Sequence, residues 1–257
     1  MNQPIYLASD YDGTFKQGAI RREDKEAIDR FRSRGCRFGL VTGRSYSMLE
    51  QEFERYGMAM DFVIANTGGA IFDRDQNVLF KKPIDRQLVL DLLADLEKRH
   101  TALYGIASLH KHSRLYLDPA LSNSRDHNTE GLPQYSREAV EQDGDIISLF
   151  IRGYNQEDSS SLYQQLVSAY SGRLAFHYNG GAIDVTAAGI SKTEGVRTLK
   201  SLAPQARVCV IGDEMNDIDM IRAFGGFSVT SGNETVKQAA TQVFDHISDC
   251  IDSLLED

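Results

Sequence analysis

Apolar residues in the first third of the chain come in short runs that alternate with stretches of helical spacing. Pro4 to Ala8 reads as a buried strand and runs directly into Ser9-Asp10-Tyr11-Asp12-Gly13-Thr14. From Glu23 to Arg34 the apolar positions Ala27, Ile28 and Phe31 recur at helical spacing, and Gly35 stops the pattern. Cys36 to Val41 is the next strand, ending at Thr42-Gly43-Arg44. Ser45 is read as the N-cap of a helix that carries Met48, Leu49 and Phe53 and stops near Gly57. Asp61 to Ala65 is a third strand, ending at Asn66. Strands alternating with helices predict parallel pairing with helices on both sheet faces. Asp10, Asp12, Thr42 and Asn66 fall just past the carboxyl ends of these strands, the edge at which open α/β sheets bind ligands.

The texture then changes. A hairpin is expected from Ala70 to Phe72 through a turn at Asp73 to Asn77 and back along Val78 to Phe80. From about Lys82 to Gly181 the order becomes helix, strands, helix, strand, with a polar, poorly periodic stretch from Leu121 to Gln134 read as loop. This is the pattern of an inserted α+β domain. The α/β rhythm resumes afterwards. Ser191-Lys192-Thr193-Glu194 has capping-box form and opens a helix through Val196, Leu199 and Leu202. Arg207 to Ile211 is a strand that ends at Gly212-Asp213, and Phe227 to Thr230 and Val243-Phe244 read as short edge strands.

Composition narrows the function classes. With 257 residues and 41% hydrophobic content the chain can bury a full core, as one large domain or two modest ones. Its 37 acidic side chains against 28 basic ones give a formal net charge of -9, which repels polyanions and argues against nucleic-acid or anionic-membrane partners. No run approaches the roughly 18 apolar residues of a membrane span, and Met1 to Asp10 has no signal-peptide pattern, so a soluble, cytoplasmic protein is expected. The three cysteines form no CxxC pair, and Cys36 and Cys209 sit in or beside apolar runs as expected of buried, reduced thiols.

Two constellations carry chemistry. Asp10 and Asp12 flank one residue at a strand end, with Gly13 turning the chain after them. Two carboxylates so close repel unless a cation lies between them or one holds a proton. That suits metal-assisted nucleophilic catalysis, one carboxylate attacking and the other moving a proton. A polar turn with aspartates capping backbone amides is the competing reading. Gly212-Asp213-Glu214-Met215-Asn216-Asp217 likewise follows an apolar strand and leads into a helix. Acids there complement a helix N-terminus, or Asp213 and Asp217 complete an oxygen-rich Mg²⁺ site. Thr42 and Lys192 offer a hydroxyl and an ammonium for phosphate oxygens, although either alone reads equally well as a cap or a surface charge.

Together these residues resemble the haloacid dehalogenase-like hydrolases, and most of all their Cof-type phosphatase branch. The resemblance rests on Asp10-x-Asp12-Gly13-Thr14, Thr42-Gly43-Arg44, Lys192 and Gly212-Asp213-x-x-Asn216-Asp217, in that order. Asn66-Thr67-Gly68-Gly69, one residue off the commoner Asn-Gly pairing, Asp184-Val185-Thr186, Ser231-Gly232-Asn233 and Val236-Lys237 resemble the branch's secondary motifs. It implies an α/β fold with a Rossmann-like parallel-sheet core at residues 1–81 and 182–257, and a cap domain at 82–181 that selects substrate. The implied activity is Mg²⁺-dependent hydrolysis of small phosphate monoesters, such as sugar phosphates, through an aspartyl-phosphate on Asp10. Asp12 becomes the general acid and then base, and Thr42, Gly43, Lys192 and Asn216 hold the phosphoryl group. Mg²⁺ is held by Asp10, the backbone carbonyl of Asp12 and Asp213, with Asp217 in support; Arg44 and Asn66 are substrate candidates. A phosphomutase using the same intermediate and a non-catalytic binding protein on the same fold are the alternatives.

Other features carry less. Asp73 to Asn77 starts like a calcium loop, but Val78 stands where the glycine is due and Ile84 where the glutamate is due. His110-Lys111-His112 has no third metal ligand nearby and is expected as an exposed segment. Arg114, Arg125, His127 and Arg152 of the insertion either meet an anionic substrate or form a solvated face.

Overall fold

A computed structural model of the chain describes residues 3–117 and 135–256. The expected loop at 121–134, with Arg125 and His127, lies outside the described residues. The chain alternates elements as the apolar pattern requires. After β1 (Ile5–Ser9) come α1 (Arg22–Ser33), β2 (Arg37–Val41), α2 (Tyr46–Tyr56) and β3 (Phe62–Ala65). A single 3₁₀ turn at Asn66–Gly68 leads to the β4 (Ala70–Asp73) and β5 (Val78–Lys81) pair. Then follow α3 (Arg86–Leu96), β6 (Leu103–Ala107), β7 (His112–Tyr116), α4 (Arg137–Gln142), β8 (Ser148–Arg152), α5 (Gln156–Ala169), β9 (Leu174–Asn179) and β10 (Ala182–Ala187). The last stretch holds α6 (Lys192–Leu202), β11 (Arg207–Gly212), α7 (Ile218–Phe224), β12 (Phe227–Val229), α8 (Glu234–Ala239), β13 (Gln242–Phe244) and α9 (Ile247–Glu256).

The elements form two compact units. The first takes the chain up to Thr42, Tyr56–Phe80, and Lys192 onward. Its eight-stranded sheet runs β13-β12-β11-β1-β2-β3-β4-β5. The pairs from β13 through β3 are parallel, and β4 returns antiparallel to β3. Parallel strands are buried on both faces and so read as continuous apolar runs, as Val208-Cys209-Val210-Ile211 does. One face is packed by Tyr6, Ala8, Val41, Ile64, Val208 and Val210 with Val196 and Leu199 of α6 and Met220 of α7. Ala27, Ile28 and Phe31 of α1 are also buried, on the helical stripe that the sequence shows. The Asp24 carboxylate of α1 accepts the Ser248 backbone N–H at 2.9 Å, in the first turn of α9. Cys36, Cys209 and Cys250 are buried and form no disulfide with one another.

The sheet order has one switch point. From β1 the chain proceeds to β2 on one side, whereas β11 pairs on the other. A switch in an open parallel sheet leaves a crevice at the carboxyl ends of the two strands. Asp10 follows β1 and Asp213 follows β11.

The second unit takes Gly43–Arg55 and Lys81–Ser191. Its five-stranded sheet, β7-β6-β8-β10-β9, is antiparallel throughout. The sequence reading puts 43–55 with the first domain and draws the return to it at 182. In the structure 43–55 groups with this second unit, β10 pairs with β8 and β9, and the first unit resumes at Lys192. Within this unit His112 is buried rather than exposed, its Nδ1 lying 2.9 Å from the Ser47 hydroxyl of α2. β7 begins at His112, and its alternation turns this imidazole inward.

Candidate active site

The crevice at β1 and β11 is built by two strand ends and one helix start. The Asp10 backbone N–H donates to the Ile211 carbonyl at 2.9 Å, so the ladder carries Asp10 to the top of the sheet. The next residues turn back tightly, with Gly13 N–H donating to Lys16 O at 3.2 Å and Lys16 N–H to Tyr11 O at 2.8 Å. Gly13 has φ +90°, and a Cβ there would lie 2.3 Å from Asp213 Oδ2. Only glycine lets the loop lie this close to the Asp213 carboxylate. The Thr14 hydroxyl then donates to Asp213 Oδ1 at 2.5 Å, a bond between residues far apart in sequence.

Lys192, the first residue of α6, is almost fully buried and bridges two carboxylates. Its Nζ donates to Asp10 Oδ1 and to Asp217 Oδ1, each at 2.7 Å. The other Asp217 oxygen accepts the backbone N–H groups of Asp213 and Glu214 at 3.2 Å each. A Cβ at Gly212 would meet the Asp217 side chain at 2.5 Å, so this turn too must pass without a side chain. Asp10, Asp213 and Asp217 are all buried, and one oxygen of each lies within 4.8 Å of the others.

The charges of this cluster do not balance. Three carboxylates surround one ammonium. Burial raises Asp10 well above the ordinary carboxylate range; Lys192 opposes the rise, whereas Asp217 and Asp213 add to it. Burial, opposed by the Thr14 hydrogen bond and reinforced by Asp217, raises Asp213 to about 6. Burial alone would lower Lys192, but Asp10 and Asp217 more than offset it and hold the ammonium charged. The cluster therefore favours an added positive charge, and its all-oxygen donor set is that of a hard dication such as Mg²⁺. The residues fit that ion. Among the described residues no other group of three or more His, Cys, Asp or Glu side chains is arranged to hold a metal.

The remaining expected residues are placed as follows. Asp12 is exposed on the loop after Asp10, and its backbone bridges to Lys16. Thr42 is buried at the end of β2; its N–H donates to Ile64 O and its carbonyl accepts from Thr67 N–H, both at 2.9 Å. Asn66 and Thr67 are buried in left-handed conformation, with φ 52° and 56°. That is tolerable for Asn but a true outlier for a β-branched residue, a strain of the kind that gathers at functional sites. Asn216 is half-exposed, its buried Oδ1 has no hydrogen-bond partner among the described residues, and Asp217 occupies the place beside Lys192. Gly43 and Arg44 fall in the second unit, Arg44 being buried there. The Asn233 backbone N–H donates to Asp213 O at 2.8 Å, so the Ser231-Gly232-Asn233 segment braces the Asp213 turn. Thr14 and the strained Thr67 are the contributions that sequence reasoning left without a role, although both stand inside the motifs quoted for the resemblance; what the motifs do not show is the Thr14 hydrogen bond to Asp213 or the left-handed backbone at Thr67.

Comparison with known proteins places the chain in a family. The family model for haloacid dehalogenase-like hydrolases matches residues 7–255. The Escherichia coli protein 5-amino-6-(5-phospho-D-ribitylamino)uracil phosphatase YbjI is 25% identical, over 91% of this chain and 88% of its own length. The Bacillus subtilis phosphatase of the same name, YitU, is 23% identical, over 93% of this chain and 92% of its own. A solved HAD/COF-like hydrolase from Plasmodium vivax superposes with a TM-score of 0.81 at 18% identity, covering 99% of this chain and 96% of that one. The chain belongs to the haloacid dehalogenase-like hydrolases and is a phosphatase of that family.

Proposed function

We propose that the enzyme hydrolyses small phosphate monoesters in two steps with Asp10 as nucleophile. The observation that carries the reading is the buried Lys192 ammonium held between Asp10 and Asp217, with Asp213 beside them at the carboxyl edge of the sheet. In the first step an Asp10 oxygen attacks phosphorus, the bond to the ester oxygen breaks, and Asp12 protonates the departing alkoxide. In the second step Asp12 takes a proton from a water that attacks the aspartyl-phosphate, releasing inorganic phosphate and restoring Asp10. An exposed Asp12 suits this role, because it must reach both the leaving group and the incoming water.

The other residues position and neutralise. Lys192 is fixed by Asp217, which is itself anchored by two backbone N–H groups. Thr14 holds the Asp213 carboxylate in place. The Thr42 hydroxyl, Lys192 and Asn216 hold phosphoryl oxygens, and Asn66 lies near them as a substrate contact. When bound by Asp10, Asp213 and the Asp12 carbonyl, with Asp217 supporting, Mg²⁺ supplies the charge neutralisation that phosphoryl transfer requires.

The substrate to test first is the one in the names of the two relatives, 5-amino-6-(5-phospho-D-ribitylamino)uracil, beside a panel of sugar phosphates and an aryl phosphate. Phosphate release should need Mg²⁺, cease in Asp10→Asn, and leave an acid-stable, hydroxylamine-sensitive label on the wild-type chain. Turnover that persists in Asp10→Asn would remove Asp10 as the nucleophile.

A further inference from the structure

Four strands end the two sheets: β13 and β5 in the first unit, β7 and β9 in the second. A strand edge offers a row of backbone donors and acceptors to any other strand, and proteins usually blunt it with shortness or charge. β13 has three residues, β5 carries Lys81 and β7 carries Arg114. β9 uses neither device. It runs for six residues, Leu174-Ala175-Phe176-His177-Tyr178-Asn179, without a lysine, arginine, aspartate or glutamate. Among the described residues no strand lies beyond it.

The helix over this edge continues the pattern. α5 buries Ser159, Leu162 and Leu166 and lies more on β9 than on β10. One flank of α5 turns to α3 through Gln165, whose Oε1 accepts from Arg99 at 2.9 Å while Arg99 also holds Asp95 of α3. The opposite flank, with Tyr163 and Val167, therefore turns to the outer edge. There the Tyr163 ring lies 5.5 Å from Tyr178, and the Tyr170 ring 6.3 Å from Phe176. Tyr163, Phe176 and Tyr178 are half-exposed and Val167 is exposed. After its first turn α5 has no Asp, Glu, Lys or Arg at all. In a chain of which 25% is charged, strand edge and helix flank form one continuous strip that lacks such residues.

The charges stand at the two ends of the strip. Exposed Arg173 immediately precedes β9. The other end of β9 lies beside the first turn of α5, where the Tyr178 hydroxyl donates to the Gln156 carbonyl at 3.2 Å and exposed Glu157 follows. We propose that this strip is the interface with a second copy of the chain, formed about a two-fold axis perpendicular to the sheet. Such an axis makes β9 antiparallel to its mate, so the basic end of each strip meets the acidic end of the other: Arg173 faces Glu157 of the second copy, twice. It also keeps both helix layers on one side, which requires even-numbered residues to face even-numbered ones. With His177 on the axis, Phe176 stands opposite Tyr178 of the second copy, an aromatic cross-strand pair made twice. The two five-stranded sheets then continue into one. Copies that each carry a net charge of -9 repel at long range, so they can meet closely only where charge is absent or complementary. A stable pair buries about 800 Å² from each partner, more than a strand edge alone presents, and the Tyr163–Val167 flank supplies the rest.

Sedimentation equilibrium of the full chain tests this arrangement, with circular dichroism confirming that each variant folds. The wild type should sediment at twice the chain mass. Val167→Glu places a carboxylate in the strip of each copy and should raise the dissociation constant at least about tenfold. Arg173→Glu and Glu157→Arg should each weaken pairing about tenfold, because symmetry makes every change act twice, and the double variant should pair again. A wild type that stays at the mass of one chain would overturn the proposal. So would a dimer that Val167→Glu and Arg173→Glu leave intact, which would place the contact elsewhere. A double variant that pairs no better than the single ones would overturn the antiparallel arrangement.

Discussion

Gly13→Ala should disable this enzyme by displacing one neighbouring carboxylate. Two costs combine there. The backbone holds φ +90°, a conformation in which a Cβ costs about 1–2 kcal/mol. The added carbon would also lie 2.3 Å from Asp213 Oδ2 and 2.9 Å from Asp213 Cγ, so the carboxylate must move. Moving it breaks the 2.5 Å Thr14–Asp213 hydrogen bond, and a hydrogen bond to a charged group contributes about 1.5–3 kcal/mol. The expected loss of stability is therefore about 3–5 kcal/mol, with activity reduced far more than the folded fraction. Gly35→Ala is the control. Its φ is +79°, and nothing lies within 4 Å of the position its Cβ would take, so it should lose only the conformational part. Urea unfolding of both variants separates the two contributions, and phosphate release measured at full occupancy of the folded state isolates the site effect. Equal destabilisation of the two variants, or a Gly13→Ala protein with ordinary turnover, would refute the claim that this glycine exists to admit Asp213.

Other consequences can be measured directly. Lys192→Met leaves Asp10 and Asp217 buried without their shared cation and should cost about 3–5 kcal/mol in urea unfolding, together with nearly all activity; a loss below about 1 kcal/mol would contradict the buried bridge. His112 is lowered to about 4, first by burial and then by the Arg114 charge. Its folded pKa lies below the unfolded value of about 6.5, so its contribution is present above that pH and is lost as pH falls towards 4, by about 3 kcal/mol in all. His112→Asn should therefore flatten the pH dependence of stability between these limits, and an unchanged slope would refute the assignment. Cys36, Cys209 and Cys250 are buried, and burial raises the Cys250 thiol far above its ordinary range. An aromatic disulfide reagent should titrate none of them in the native chain and all three after unfolding.

Much of this architecture can be read in advance because parallel strands buried on both faces leave continuous apolar runs, and the residues just past those runs must lie on one sheet edge. Val208-Cys209-Val210-Ile211 followed by Gly212-Asp213 is such a case, and so is the strand before Asp10. The same rule shows where the reading could have gone further. Ala182-Ile183-Asp184-Val185-Thr186-Ala187 alternates in polarity, as a strand of an antiparallel sheet with one polar face should, and β10 does pair antiparallel on both sides. The family motif containing Asp184 drew that segment towards the first domain, although its own period pointed to the second sheet. His112 was harder, since a polar tract carries no mark that one imidazole turns inward to Ser47. Asn66 and Thr67 were harder again, because a left-handed threonine contradicts its own propensity and is held only by the surrounding fold. The charge imbalance of the active site is illegible in one dimension for a different reason. Asp10, Lys192, Asp213 and Asp217 lie in separate segments, and only the sheet order makes neighbours of β1 and β11. Motif recognition supplies the residue types, but the excess of negative charge is a sum over one small volume. That sum exists only after the chain has folded.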